Sequence, residues 1–204
     1  VIKRGYYPKG GGKVRLIIKP VKKFKPIRIY RSKLVNLRIL SKCSNLPKHV
    51  AERQAKSAIE ELKKAGLEPS DVKIEVLSRD RAMGKGSSIL VIGEMRDGFR
   101  CGGDSIGELG KPAEVVGKEA VNKFLRWFKS KASVDVHLGD MLIPYASIAE
   151  PRSTYTILER TGHVVSSLYV QERIIGARYE LKEISKNLIS VNIDGIGLIN
   201  RFMP

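Results

Sequence analysis

The sequence predicts an α+β fold on three observations. Short aliphatic runs of strand length recur along the chain, apolar residues recur at helical spacing between them, and an Asp97-Gly98 pair joins two runs as a hairpin. Helices mixed with hairpin-linked strands are the ingredients of layered α+β proteins. The 204 residues suffice for one large or two small domains. The core must be mostly aliphatic, because 42% of the residues are hydrophobic and only 6% aromatic.

The elements follow in order. Val14–Ile18 and Leu34–Leu40 read as strands. A helix runs from Lys48 to Ala65, with Ala51, Ala55, Ala58, Leu62 and Ala65 on one side and Gly66 as its stop. Val72–Leu77 and Ser88–Ile92 read as strands, the latter turning at Asp97-Gly98 into Phe99–Cys101. Pro112 suits the first position of a second helix, which carries Val116, Ala120, Phe124 and Trp127 and ends near Lys131. A third helix is expected over Val134–Ala149, bent by Pro144, which lacks a backbone donor. Thr154–Leu158 is a strand, a fourth helix runs from His163 to Gly176, and two strands follow at Arg178–Ile184 and Leu188–Ile193.

Charge is unevenly placed. The net charge is +17, and the stretch Val1–Ala51 holds 15 Lys/Arg and no acid. The rest of the chain sets 23 basic residues against 21 acids, so nearly all the excess lies in the first quarter. A clustered basic surface attracts polyanions, nucleic acid above all. The chain has no apolar run of membrane-spanning length and opens with no signal-peptide pattern. Cys43 and Cys101 lie too far apart for metal-type spacing and are expected to be buried and reduced, as in the cytoplasm. His49, His137 and His163 show no zinc-type spacing either. The opening Val1-Ile-Lys-Arg reads as a strand already under way, so the chain is expected to be the carboxyl-terminal part of something longer.

The most specific stretch is Arg4-Gly-Tyr-Tyr-Pro-Lys-Gly-Gly-Gly12. Its glycines permit positive φ and close backbone approach. Its local reading is a tight loop between strands, with Arg4, Lys9 and backbone amides able to face a phosphate. Four further blocks follow in order: Gly107-Glu-Leu-Gly-Lys-Pro-Ala-Glu-Val-Val-Gly117, Val134-Asp-Val-His-Leu-Gly-Asp-Met-Leu-Ile-Pro-Tyr145, Gly162-His163, and Asp194-Gly-Ile-Gly-Leu-Ile199. Together they resemble the RNA 3'-terminal phosphate cyclase family over nearly the whole chain.

The resemblance implies a large domain of repeated β-α-β-α-β-β units interrupted by a smaller inserted α/β domain. The insert is expected at residues 34–131, with 1–33 and 132–204 belonging to the large catalytic domain. It implies ATP-dependent conversion of an RNA 3'-phosphate to a 2',3'-cyclic phosphate through AMP carried on a histidine. His163 matches that nucleophile, at an expected helix start that favours anions over a protonated imidazole. A neutral imidazole is nucleophilic near neutrality, its ordinary pKa being about 6.5. The block His137, Leu138, Gly139, Asp140 and Met141 matches the family's ATP-binding stretch, with His137, Asp140 and Met141 on one helix face. Here the sequence departs from the family: His137 stands where Tyr is common, and Met141 where Gln is common. His137 can still stack on a base, whereas Met141 offers an apolar or sulfur contact. A divalent metal, Mg2+ or Mn2+, is expected to offset phosphate charge, with ligands outside this chain. RNA 3' ends and ATP are the expected partners, and no membrane is. A related branch of the family is non-catalytic, acts in ribosome assembly and lacks the histidine. A general RNA-binding module would explain the basic first quarter but not the ordered blocks.

Overall fold

The computed structural model describes residues 1–78 and 81–203. The chain forms two compact units, Val1–Ile17 with Lys33–Arg126, and Ile18–Ser32 with Trp127–Pro204. Helices and strands are mixed in both, in two separate sheets, which is the α+β class the sequence predicts.

The first unit is built on a four-stranded sheet in the order β2-β1-β3-β4. Its strands are β1 (Leu34–Ser44), β2 (Asp71–Leu77), β3 (Gly86–Met95) and β4 (Arg100–Ile106). β1 pairs parallel to β2 and antiparallel to β3. The parallel pair is joined through α1 (Lys48–Lys64), the helical crossover that parallel strands require. The alanine stripe is what α1 buries: Ala51, Ala55, Ala58 and Leu62 are all at most 2% exposed. The helix ends where Gly66 takes φ +73°. β3 turns at Gly98 into β4, and the Met95 amide donates to the Phe99 carbonyl across 2.8 Å. α2 (Ala113–Ser130) packs so tightly on α1 that a Cβ at Gly117 would lie 2.3 Å from the Gln54 carbonyl oxygen. Gln54 itself is fully buried and satisfied, donating to the Ser87 hydroxyl at 2.7 Å and accepting from Ser41 at 3.1 Å.

The second unit carries α3 (Val136–Met141), α4 (Ile143–Ile148), β5 (Ser153–Ile157), α5 (Gly162–Ile175), β6 (Arg178–Ser185) and β7 (Leu188–Asp194). Its three strands run antiparallel in the order β5-β7-β6. Residues Ile27–Ile29 lie along β5, exchanging backbone hydrogen bonds with Thr154 at 2.7 and 3.1 Å. β7 alternates inward and outward, burying Ile189, Val191 and Ile193. α5 packs against α3 and α4, burying Val164 and Leu168. Trp127 is buried under the Arg31 guanidinium, 4.2 Å from the ring centroid, and its indole N–H donates to the Ala132 carbonyl.

Two expectations need correction. Val14–Ile18 is not a strand: Val14, Leu16, Ile17 and Ile18 are 70–78% exposed, and among the described residues the only pairing nearby is an isolated bridge of Lys13 to Lys3. Apolar, β-branched residues favour a pleated, half-buried surface, and among the described residues no strand pairs with this segment to supply one. The third helix is not one bent helix but two six-residue helices that break at Leu142. Pro144 sits in the first turn of α4, where its missing donor costs nothing. Both cysteines are free and buried, and burial pushes the Cys43 thiol above its ordinary pKa.

Candidate active site

All six sequence-predicted site residues fall in the second unit, on two helices that pack together. His163 is the second residue of α5 and is exposed. Thr161 caps that helix, accepting a hydrogen bond from the Val164 amide at 3.1 Å through its side chain. Its carbonyl accepts from the Val165 amide, also at 3.1 Å. The amides of Gly162 and His163 have no intrahelical acceptor, because the first turn of any helix lacks one. The positive end of a 14-residue helix therefore lies beside His163, and this is a setting that attracts a phosphate. Gly162 meets no neighbour within 4 Å of where a Cβ would stand, so the approach beside His163 is open.

The other five residues are on α3. Asp135 caps this helix, and its carboxylate accepts from the amides of His137 at 3.1 Å and Leu138 at 2.9 Å. His137 is exposed, Met141 is 63% exposed, and Asp140 is half-buried. Gly139 is buried, and a Cβ there would lie 3.1 Å from the Ile157 side chain, so α3 rests directly on β5. The face carrying His137 and Met141 is thus turned outward while Gly139 anchors the helix inward. This is the division of roles that the i, i+3, i+4 spacing implies.

Sequence reasoning did not identify the residue that holds α3 in place. Tyr155 on β5 is 1% exposed and donates its hydroxyl to the Gly139 carbonyl at 2.8 Å. Burial, reinforced by the charge of Asp140, pushes its phenol well above the ordinary tyrosine pKa. Its inward register in the strand 153–157 is the available signal, but alternation does not say which buried residue reaches which helix. The capping roles of Asp135 and Thr161 likewise become legible only once the helix starts are known.

The glycine-rich blocks are built for close backbone approach. A Cβ at Gly195 would lie 2.1 Å from the Ala149 carbonyl oxygen and 2.4 Å from that of Ala146. The backbone here clasps the end of α4, with the Ile196 amide donating to the Ser147 carbonyl at 3.0 Å and Leu198 to Ile148 at 2.9 Å. Asp194 next to it forms a two-pronged ion pair with Arg152, which holds its carboxyl below the ordinary range. In the Arg4–Gly12 loop, Gly10 and Gly11 take φ of +59° and +71°, and a Cβ at Gly5 would lie 2.5 Å from the Gly10 carbonyl oxygen.

Among the described residues, no three His, Cys, Asp or Glu side chains are grouped as a metal site. Among the described residues, no helix is long and apolar enough to cross a membrane.

Comparison with known proteins bears on the same blocks. Residues 29–129 match the family model described as RNA 3'-terminal phosphate cyclase (RTC), insert domain. A protein of Pyrobaculum aerophilum named RNA 3'-terminal phosphate cyclase is 40% identical over 198 residues, covering 97% of this chain and 56% of its own length. One of the same name from Caldivirga maquilingensis is 40% identical over 196 residues, 94% of this chain and 55% of its own. Another, from Archaeoglobus fulgidus, is 42% identical over 176 residues, 86% of this chain and 50% of its own. The chain spans about half the length of the curated relatives it matches. With five ordered motif blocks, the insert-domain match and relatives aligned along nearly all of its residues, the chain belongs to the RNA 3'-terminal phosphate cyclase family.

Proposed function

We propose that this protein acts in the ATP-dependent conversion of an RNA 3'-terminal phosphate to a 2',3'-cyclic phosphate, with His163 as the nucleophile. The observation that carries the reading is the position of His163: exposed, in the first turn of α5, on a helix packed against α3. An imidazole nitrogen there attacks the α-phosphorus of ATP. An N–P bond forms, the bond to the β-phosphate oxygen breaks, and pyrophosphate leaves. The amides at the start of α5 offer hydrogen bonds to the phosphoryl oxygens. An oxygen of the RNA 3'-phosphate then takes AMP from His163, forming a phosphoanhydride and freeing the imidazole. The vicinal 2'-hydroxyl loses its proton and attacks the RNA phosphorus, AMP departs, and the ring closes. No second enzyme nucleophile is required, because the attacking hydroxyl is already adjacent to the phosphorus.

In this reading α3 holds the nucleotide. His137 stacks on the adenine, Met141 lies against it with an apolar contact, and Leu138, Gly139 and Asp140 complete the wall. Tyr155 is a positioning residue, acting through the Gly139 carbonyl. Residues 34–131 are the inserted domain, while 1–33 and 132–204 belong to the catalytic domain. The reaction belongs in the cytoplasm, where thiols stay reduced.

The test is direct. The full-length gene product, given ATP, Mg2+ and an oligoribonucleotide ending in a 3'-phosphate, should form a phosphatase-resistant end with release of AMP and pyrophosphate. His163→Ala should form none. A wild-type protein that binds the oligonucleotide without cyclising it overturns the proposal and favours the assembly branch.

A further inference from the structure

The first unit contains a cavity of about 690 Å³ whose chemistry the cyclisation reaction does not use. Three lysines line it from separate stretches of sequence: Lys3 and Lys9 flank or belong to the glycine-rich loop, and Lys85 comes from the turn before β3. Among the described residues, none that line it is acidic and none of these lysines has an acidic partner. Tyr7 stands at this cavity 94% exposed. Met83, beside it, is 54% exposed. The floor is fixed: Asn45 donates to the Ala82 carbonyl at 2.8 Å and to that of Gly84 at 3.1 Å, and Ser44 donates to Gly84 at 2.8 Å. Tyr6 packs under the same turn, so a Cβ at Gly84 would lie 2.8 Å from the Tyr6 carbonyl oxygen.

Each feature has a physical consequence. Lysines gathered without compensating acids make a local positive potential that favours phosphates. A tyrosine ring left almost wholly in water, next to an exposed thioether, offers an apolar face of the size of a base. Positive groove plus exposed aromatic is the combination by which single strands are held without sequence preference, the backbone tracked by charge and the base stacked on the ring. A free nucleotide uses the same phosphate chemistry, but the cavity is open, which suits a strand that continues beyond it.

We propose that Lys3, Lys9, Lys85 and Tyr7 form a single-stranded RNA-binding site, taking phosphodiesters on the lysines and one base on Tyr7. The proposal rests on the reading of the protein as one that acts on RNA. It assigns the Arg4–Gly12 loop a binding duty in place of a chemical one.

The test is fluorescence anisotropy of the full-length protein with a labelled single-stranded oligoribonucleotide ending in a 3'-hydroxyl, which does not react. Tyr7→Ala should weaken binding by about 5- to 150-fold, the range that removal of one base-stacking aromatic produces. The Lys9→Gln/Lys85→Gln double variant should lower the slope of log affinity against log salt by about 1.4, at about 0.7 for each single-strand phosphate no longer neutralised. Tyr7, Lys9 and Lys85 are all exposed, so an unchanged unfolding midpoint separates weakened binding from a damaged fold. Wild-type affinity and slope in both variants would overturn the site. So would a result in which the variants lose affinity for ATP and keep it for the oligonucleotide, which would assign the cavity to a free nucleotide. A variant that loses oligonucleotide binding while the wild type fails to cyclise leaves this site standing and removes the cyclase reading. Cyclisation by the wild type with unaltered binding in the variants does the reverse.

Discussion

Tyr155→Phe removes one hydroxyl and nothing else from the second unit. The residue is 1% exposed and its hydroxyl donates to the Gly139 carbonyl at 2.8 Å, so no water can replace it without rearrangement. A net hydrogen bond contributes about 1 kcal/mol, and an abandoned buried acceptor raises the loss to about 1–3 kcal/mol. At about 4–8 °C per kcal/mol for a unit of this size, the melting temperature should fall visibly. The pH dependence gives a second, independent reading. Because the folded-state pKa is raised, the folded protein keeps the phenol proton where the unfolded chain releases it, near pH 10. Stability from this group is fully present below about pH 10 and is lost as the pH rises towards the folded value, at about 1.4 kcal/mol per pH unit. The gap between wild type and Tyr155→Phe should therefore be constant from neutrality to about pH 9 and shrink above it. Urea denaturation followed by tryptophan fluorescence at several pH values measures both, since Trp127 belongs to the same unit. No loss at neutral pH, or a gap that stays constant through about pH 11, would refute the burial and the bond together.

Gly195→Ala places a Cβ 2.1 Å from one backbone carbonyl oxygen and 2.4 Å from another, neither of which can rotate away, so a loss on the order of 3 kcal/mol is expected in the same denaturation assay. Gln54→Ala empties a fully buried position and takes one hydrogen-bond partner from each of Ser41 and Ser87; about 2–4 kcal/mol should be lost, and Gln54→Glu should not restore it. The exposed lysines Lys19, Lys22 and Lys25 carry the basic first quarter into the second unit, and their joint replacement by Gln should lower the salt slope of RNA binding, measured by anisotropy. Lys23 is paired with Glu150 at 3.0 Å and should contribute less than its neighbours.

The legibility of the chain divides along physical lines. The alanine stripe of α1 and the alternation of β7 can be read directly, because both periodicities are fixed by local geometry. Helix stops at Gly66 and Gly176 are equally plain, both residues having positive φ. The segment Val14–Ile18 defeats this kind of reading, because strand propensity says nothing about whether a neighbouring strand exists. Pro144 marks an irregularity correctly but does not reveal that the chain restarts as a second helix at Ile143. For the candidate site, His163 and the residues 137–141 come from motif order, and the helix start at Gly162 agrees with the local signal there. The supports, Tyr155 and the clasp of residues 195–198 on α4, depend on contacts between residues distant in sequence. No periodicity carries that information. The cavity at Tyr7 has the same origin, since Lys9 and Lys85 lie far apart along the chain and meet only in the folded unit.

The central claim is that His163 carries AMP covalently. The full-length protein, incubated with ATP and Mg2+ and digested under alkaline conditions that preserve a phosphoramidate, can be mapped by mass spectrometry peptide by peptide. The account predicts the mass of one AMP on the peptide containing His163, and none in His163→Asn. An adduct on another residue, or cyclised RNA ends formed by the His163→Asn protein, would contradict it.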